Sequence, residues 1–147
     1  MPRREFLAQL FGLPFLSFGL KPEEPKKALR IMMKSAWGSD DPTKAAFPFL
    51  HGLALAEAGH EVQIFLLGEA TSLMRKATAA AVVPVGWPPL IETLQKLAGK
   101  RITLFVCGAC SRARGVSQED LNQWGAKFGN PTIFVELVEW ADRIITE

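Results

Sequence analysis

Three short apolar runs, each followed by a stretch with helical spacing, restrict the fold of this chain more than any other feature. The runs are ALRIMMKSA (residues 28–36), HEVQIFLLG (residues 60–68) and RITLFVC (residues 101–107). Strands that are almost continuously apolar are typical of a parallel sheet covered on both faces, and their alternation with helices implies βαβ crossovers. We therefore expect a three-layer α/β/α sandwich around a mainly parallel sheet of four to five strands.

Signals for helix starts divide the rest of the chain. Asp41 and Pro42 supply the cap and the first residue of a helix that runs to about Ala58. A capping box at Ser117 predicts a later helix that reaches about Phe128. The remaining predictions are helices over residues 71–80, 88–98 and 132–141, a loop or short strand over residues 81–89, and a last strand over residues 142–146.

Composition limits the classes of function that need to be considered. A chain of 147 residues that is 48% hydrophobic is long enough for one domain with one core. The net charge of +2 comes from 17 basic and 15 acidic residues without a basic stripe, so we expect no nucleic-acid partner. Two cysteines cannot form a disulfide framework, and His51 and His60 lie on a different element from them. Neither a metal nor a cofactor is predicted.

The first twenty residues differ from the rest. Arg3 and Arg4 precede an apolar run that is too short for a membrane span of about 20 residues, so no stable span is predicted. The pattern R-R-x-F-L resembles a twin-arginine export signal and predicts a periplasmic or exported protein. The alternative is that these residues form an N-terminal apolar helix docked on the domain or on a partner subunit, and that the protein is cytoplasmic. Residues 21–27, KPEEPKK, form a linker, and residues 28–147 form the domain.

The segment FVCGACSRARG, residues 105–115, carries the strongest functional signal. Cys107 ends an apolar strand, and ligands of parallel sheets bind beyond the carboxyl ends of the strands. A free cysteine with a pKa near about 8.5 needs a cation or backbone N–H groups to become a reactive thiolate. Arg112 and Arg114 are the candidate cations, and Gly108 and Gly115 allow close approach of the backbone to an anion.

Two further residues complete the predicted site. Cys110 follows Cys107 by three positions and is expected to act as a second sulfur carrier or as a resolving thiol. Trp37 follows the first strand directly, so it lies at the same edge of the sheet and is expected to roof a pocket there.

The run VCGACSRARGV resembles the cysteine loop of the DsrE/DsrF-like (YchN-like) proteins, in which C-G-x-C-x-x-A-R-G or C-x-x-A-x-x-R-G occupies this place. AEAGHEVQIFLLG and the terminal ADRIIT extend the resemblance over residues 28–147. The resemblance implies a homotrimer or homohexamer in which Cys107 carries sulfur as a persulfide, with Arg114 and Gly115 matching the R-G of the motif. Its partners would be sulfur-donor and sulfur-acceptor proteins or small sulfur anions.

This sequence departs from the resembled family in two respects, and other functions stay open. Relay members often lack a cysteine at the position of Cys110, and they are cytoplasmic, whereas the start of this chain resembles an export signal. One alternative is a thiol–disulfide oxidoreductase that uses the Cys107/Cys110 pair, and another is a non-catalytic oligomeric binding module. Whether a sulfur-relay protein of this kind is a sulfurtransferase or a stoichiometric carrier is not decided by the sequence.

Overall fold

The computed structural model describes residues 24–100 and 102–147. The predicted export signal, residues 1–20, lies outside the described residues, and so does the first part of the predicted linker. The elements in chain order are β1 (Arg30–Ser35), α1 (Pro42–Glu57), β2 (Glu61–Leu66), a 3₁₀ helix (Gly68–Met74), α2 (Lys76–Ala81), α3 (Leu90–Gly99), β3 (Thr103–Cys107), α4 (Gly108–Ala113), α5 (Gln118–Asn122), β4 (Lys127–Gly129), α6 (Pro131–Trp140) and β5 (Arg143–Thr146).

The five strands form one sheet in the order β4-β3-β2-β1-β5, and every neighbouring pair is parallel. From β1 to β4 each strand is added on the same side of its predecessor, and the chain then returns across the sheet to place β5 beside β1. Because crossovers are right-handed, this reversal of direction places α6 on the opposite face from α1 and α3. The predicted three-layer α/β/α architecture is confirmed.

The two faces of the sheet are covered unequally. The larger core lies under α1, α3 and the 3₁₀ helix and includes the fully buried Phe49, Ile64 and Leu104. The smaller core lies under α6 and is built on Met32, Phe65 and Leu137. The second face therefore depends on few side chains, and several of its residues remain half-buried.

Helix α1 and the last two elements follow the sequence predictions. Asp41 caps α1 by accepting a hydrogen bond from the Lys44 N–H at 3.0 Å, and Pro42 is the first helical residue. Asn130 caps α6 in the same way, with the Ile133 N–H 2.9 Å from its side-chain oxygen. α1 thus begins where its cap and proline signals indicated, and α6 begins at Pro131, one residue before the predicted stretch 132–141.

The predicted helix from Ser117 to Phe128 is wrong in its second half. The capping box of Ser117 and Asp120 is present, but α5 ends at Asn122 and the chain then forms β4. Gly125 adopts a φ of 63°, which favours glycine and separates the two elements. Trp124 is buried there, and its Nε1–H donates to the Met74 carbonyl at 2.7 Å. Strand β4 therefore lies where the end of a helix was predicted.

For two other stretches, the predicted secondary structure agrees only in part with the structure. Residues 71–80, predicted as one helix, are divided between the 3₁₀ helix and α2. The stretch 81–89, predicted as a loop or a short strand, is a loop from residue 82 to residue 89, and it exposes Val83, Val85 and Trp87. Among the described residues, no helix combines the length and apolar character needed to cross a membrane.

Candidate functional site

Cys107 lies at the carboxyl end of β3, as the sequence predicted. It pairs with Gly129 of β4, and its sulfur caps α4 by accepting a hydrogen bond from the Cys110 N–H at 3.4 Å. The strand thus turns into the helix directly at the cysteine, so the sulfur is held at the edge of the sheet. Both cysteines are free thiols and only half-buried, which leaves them accessible to a reagent.

A pocket of about 500 Å³ opens beside this sulfur, between the carboxyl ends of the strands and the start of α6. We call it the Cys107 pocket. It is mostly apolar. Its lining comprises Phe65, Leu67, Cys107, Gly108, Ala109, Arg112, Gly129, Asn130, Pro131, Phe134 and Val135.

The structure brings Cys107, Gly108 and Arg112 together, as predicted. Arg112 is exposed and is the one charged residue of the lining, and within the described chain its guanidinium has no hydrogen-bond or ion-pair partner. A cation without a counter-ion at the rim of an apolar pocket attracts an anion. A Cβ at Gly108 would meet the Gly129 carbonyl oxygen at 3.3 Å, so the glycine allows the start of α4 to pack closely against β4. The approach of its backbone to an anion stays a prediction.

Arg114 lies elsewhere than predicted. Its Nε donates to Glu69 Oε2 at 3.0 Å, its Nη2 to Glu69 Oε1 at 2.5 Å, and its Nη1 to the Cys110 carbonyl at 3.1 Å. The ion pair lowers the pKa of Glu69. Arg114 is not part of the pocket lining, and Glu69 compensates part of its charge. Its role as an anion-stabilising residue stays a prediction.

The thiol of lower pKa is Cys110, not Cys107. Burial raises the pKa of Cys107, and the neighbouring Cys110 thiol raises it further. Burial also acts to raise the pKa of Cys110, but the hydrogen bond with Cys107, the backbone N–H of Gly68 and the charge of Arg114 outweigh it and lower the pKa. These directions indicate that Cys110 ionises before Cys107. The stabilisation of a Cys107 thiolate by two arginines stays a prediction.

Gly115 and Trp37, two further residues of the predicted site, lie outside the lining of the Cys107 pocket. Gly115 has a φ of 61°, and a Cβ there would lie 2.9 Å from the Arg75 guanidinium, so it permits the turn after α4. Trp37 is exposed, with the Lys44 ammonium 3.9 Å from its ring centroid. Neither residue lines the Cys107 pocket. Their binding of substrate stays a prediction.

Sequence reasoning missed Arg75, which holds the cysteine helix from outside the motif. Its guanidinium donates to the carbonyls of Arg114 and Gly115, at the end of α4. A helix end leaves carbonyl groups without partners, and a cation at that end satisfies them and offsets the helix dipole. No signal in the sequence connects Arg75 with this loop, because the contact exists only after folding.

The lining residues from β4 and α6 were missed for a different reason. Asn130, Phe134 and Val135 reach the pocket because β4 is paired to β3, and the sequence had assigned that strand to a helix. The described residues contain no group of three or more His, Cys, Asp or Glu side chains arranged to bind a metal ion.

The fold and the site define a class: a single α/β domain with a parallel sheet and a thiol pair at the carboxyl edge of its strands. This chain belongs to the DsrE/DsrF-like family, whose sequence profile matches residues 31–146. The family is generally associated with sulfur relay, in which its members work with partner proteins.

Comparison with individual proteins supports the same assignment. The chain is 32% identical over 88 residues to an uncharacterized protein of Methanocaldococcus jannaschii, covering 60% of this chain and 73% of that protein. It is 33% identical over 92 residues to an uncharacterized protein of Methanopyrus kandleri, covering 63% and 71%. Among solved structures, the YchN protein of E. coli has a TM-score of 0.65 at 18% identity, covering 82% of this chain and 100% of YchN, and it shows the same fold.

Proposed function

We propose that this protein carries sulfane sulfur as a persulfide on Cys107 within a sulfur relay. The observation that carries the proposal is the position of the Cys107 sulfur, which is held at the carboxyl edge of the sheet beside an open pocket. Membership of the DsrE/DsrF-like family supports the same chemistry. The partners would be sulfur-donor and sulfur-acceptor proteins or small sulfur anions.

Cys110 supplies the proton acceptor that this chemistry needs. Transfer begins when the Cys107 thiolate attacks a sulfane sulfur, and only the thiolate is a good nucleophile. Since Cys110 ionises first, its thiolate takes the proton of Cys107 as that attack begins. The backbone N–H groups of Ala109 and Cys110, which lower the pKa of Cys107, then stabilise negative charge at its sulfur. Arg112 attracts the donor, and Cys110 remains available as a second carrier.

Mass spectrometry after exposure to thiosulfate or polysulfide tests the proposal. We expect the protein to gain the mass of one sulfur atom, and we expect Cys107→Ala to abolish this gain. Cys110→Ala is the matched control, because it keeps the attacking sulfur and should slow loading without preventing it. If the gain of sulfur persists in Cys107→Ala and is lost in Cys110→Ala, Cys110 is the sulfur carrier and the proposed role of Cys107 is wrong.

A second candidate function is thiol–disulfide exchange, and the position of the two cysteines on α4 favours it. Cys107 caps this helix and Cys110 is its third residue, so the two side chains face each other across one turn. Residues three apart at the start of a helix lie within the range of Cα separations that a disulfide spans. A reversible Cys107–Cys110 disulfide in a protein that gains no sulfur would support this function over sulfur relay.

We further propose that residues 1–20 direct export by a twin-arginine pathway, on the basis of the R-R-x-F-L pattern that starts at Arg3 and the apolar run that follows it. Cell fractionation and sequencing of the mature N-terminus test this, with the double variant Arg3→Lys and Arg4→Lys as the sharpest change because it keeps the charge. Retention of that variant in the cytoplasm supports export by this route. A cytoplasmic location of the unaltered protein contradicts it.

A further inference from the structure

The Cys107 pocket is larger than a small inorganic sulfur anion requires. Its volume is about 500 Å³. One water molecule occupies about 30 Å³ in the liquid, so the pocket has room for on the order of 15 water-sized groups. An ion such as thiosulfate fills a minor part of this space. Volumes of this order are typical of sites that take organic ligands.

The walls of the pocket are apolar in a way that does not suit a strongly hydrated ion. Phe65 and Phe134 contribute aromatic rings whose centroids lie 5.3 Å apart in an edge-to-face arrangement, so this wall is fixed by packing. Leu67 and Val135 extend the apolar surface, and Val135 is 52% exposed at the rim. A purely ionic ligand would lose hydration against these walls without compensation. An apolar group, by contrast, gains free energy by leaving water there.

Charge at the pocket is confined to one side. Arg112 is the one charged residue of the lining, and it has no partner in the described part of the chain. The nearby cation Arg114 is compensated by Glu69. The pocket therefore combines an apolar region, one unpaired guanidinium and a reactive sulfur. A ligand that matches all three has an apolar body, a negative group and a sulfur atom to transfer.

We propose that the sulfur donor of this site is a small organic molecule whose sulfane sulfur lies next to an anionic group and is attached to an apolar body. The inference rests on the proposed function, because it names the donor from which Cys107 takes sulfur. A site of this kind prefers an organic donor, whereas a site without an apolar pocket would accept sulfur from any inorganic sulfur anion.

For an organic thiosulfonate the step balances as follows. The proton of Cys107 passes to the Cys110 thiolate, and the Cys107 thiolate attacks the terminal sulfur of the donor. The sulfur–sulfur bond of the donor breaks, and its electron pair leaves with the sulfinate. Cys107 keeps the transferred sulfur as a persulfide anion. No external oxidant or reductant is consumed, since the sulfane sulfur is transferred without a change in oxidation state.

The test compares benzenethiosulfonate, methanethiosulfonate and thiosulfate as donors to the full chain. Loading of Cys107 is followed as the gain of one sulfur atom, and each rate is divided by the rate with free cysteine to remove intrinsic reactivity. We expect the phenyl donor to load Cys107 roughly tenfold or more faster than the methyl donor, because its ring is buried against the apolar wall.

Two pairs of variants assign the effect to the pocket. Val135→Trp narrows the apolar part and should reduce the preference for the phenyl donor about tenfold, whereas Val138→Trp, on the same helix but outside the lining, should leave it unchanged. Arg112→Gln should slow both organic donors severalfold. Arg143→Gln on β5, at the far edge of the sheet, is the matched control.

Binding without transfer gives an independent measurement. Benzenesulfonate has the ring and the negative charge but no sulfane sulfur, so it can bind without reacting. We expect it to protect Cys107 from alkylation by iodoacetamide at lower concentration than methanesulfonate does. Loss of this protection in Val135→Trp, with the protein still folded, supports the inference.

Three outcomes separate the possible failures. If polysulfide loads Cys107 and the phenyl and methyl donors do so equally, the proposed function stands and the organic-donor inference is wrong. If no donor loads Cys107 at all, both fail. The third outcome is that Val135→Trp dissociates an oligomer and leaves the normalised rates unchanged. The Cys107 pocket is then a contact between copies of the chain, and the inference is again overturned.

Discussion

Arg114 and Glu69 form a two-point ion pair that joins the cysteine helix α4 to the 3₁₀ helix. Nε of the arginine lies 3.0 Å from Oε2 of the glutamate, and Nη2 lies 2.5 Å from Oε1. The third guanidinium nitrogen donates to the Cys110 carbonyl. The pair therefore fixes a positive charge beside Cys110 and at the same time compensates part of it.

We expect Arg114→Gln to raise the pKa of Cys110. The charge of Arg114 is one of the causes that lower this pKa, so its removal leaves burial less opposed. At neutral pH the thiolate fraction of Cys110 should fall, and its alkylation should slow severalfold. The pH dependence of alkylation, followed by mass spectrometry at each cysteine, measures this change.

Glu69→Gln is the control for that variant. It removes the compensating negative charge and keeps Arg114, so alkylation of Cys110 should be no slower than in the unaltered protein. If Arg114→Gln leaves the pH profile of Cys110 unchanged, the charge of Arg114 does not determine which thiol ionises.

Arg75→Ala should destabilise the cysteine helix through lost hydrogen bonds. The half-buried guanidinium donates to two carbonyls at the end of α4, and charged hydrogen bonds of this kind stabilise more than neutral ones. We expect the free energy of unfolding to fall by about 1 to 3 kcal/mol, measured by chemical denaturation. Lys76→Ala, at the next position and exposed, should change it by less than about 0.5 kcal/mol. Equal losses in the two variants would contradict the bridging role.

Removal of two buried hydroxyls, those of Thr71 and Ser111, should change the free energy of unfolding in opposite directions. Thr71 Oγ1 donates to the Gly68 carbonyl at 2.8 Å, whereas the Ser111 hydroxyl has no hydrogen-bond partner among the residues that the structure describes. Both residues are fully buried. Thr71→Val removes the hydrogen bond to the Gly68 carbonyl and should cost about 0.5 to 1.5 kcal/mol of unfolding free energy. Ser111→Ala removes an unpaired polar group and should be neutral or stabilising. Denaturation curves of the two variants check both signs, and a large loss with Ser111→Ala would indicate a partner for its hydroxyl.

Much of the fold follows from local signals because those signals report burial and helix ends. The apolar runs that became β1, β2 and β3 are buried on both faces of a parallel sheet, and a strand in that position is apolar whatever its neighbours are. β4 was missed because it is three residues long and follows a genuine capping box. The alternation of Trp124, Ala126 and Phe128 toward the interior is the period-two signal that identifies it, but the helix start obscured this pattern.

The site was predictable to the extent that it lies within one segment. Cys107, Gly108 and Arg112 are close in sequence, and the rule that sites form beyond the carboxyl ends of strands places them correctly. The partner of Arg114 was not predictable, since Glu69 belongs to an element far away in sequence. The pKa of Cys110 is lowered by its hydrogen bond with Cys107, by the Gly68 backbone and, less strongly, by the charge of Arg114. Because Gly68 belongs to a distant segment, the electrostatics of the pair could not be derived from the motif alone.

Self-association is expected from the family resemblance, and the loop over residues 82–89 is a candidate surface for it. Val85 is 91% exposed and has the exposed Val83 and Trp87 beside it. Apolar groups exposed together favour contact with another protein surface. We expect Val85→Glu to lower the mass measured by light scattering while leaving the unfolding free energy of the monomer unchanged.

Ala80→Glu adds the same charge at an exposed position on α2 and is the control for that change. It should leave the mass as it is in the unaltered protein. An unchanged mass with Val85→Glu at the same concentration would exclude this loop as the contact between copies.

Acid stability should depend on Asp142, which joins the start of β1 to the start of β5. Its carboxylate accepts hydrogen bonds from the Arg30 guanidinium at 3.0 Å and from the Arg30 backbone N–H at 2.9 Å, and these lower its pKa from 3.8 to about 2. A carboxyl group with a lowered pKa in the folded state is protonated first in the unfolded chain as the pH falls. Its contribution to stability is therefore complete above the ordinary pKa and is lost between about pH 4 and pH 2.

Asp142→Asn removes this titration, so the free energy of unfolding of the variant should fall less steeply over that window than that of the unaltered protein. Urea denaturation at a series of pH values measures the two slopes. Asp40→Asn is the matched control, because the exposed Asp40 carboxylate has no partner in the described part of the chain and its removal should leave the slope unchanged. Parallel curves for the unaltered protein and Asp142→Asn would show that the Arg30 contact does not form in solution, since an ion pair that holds the carboxylate ionised must release that stability when acid is added.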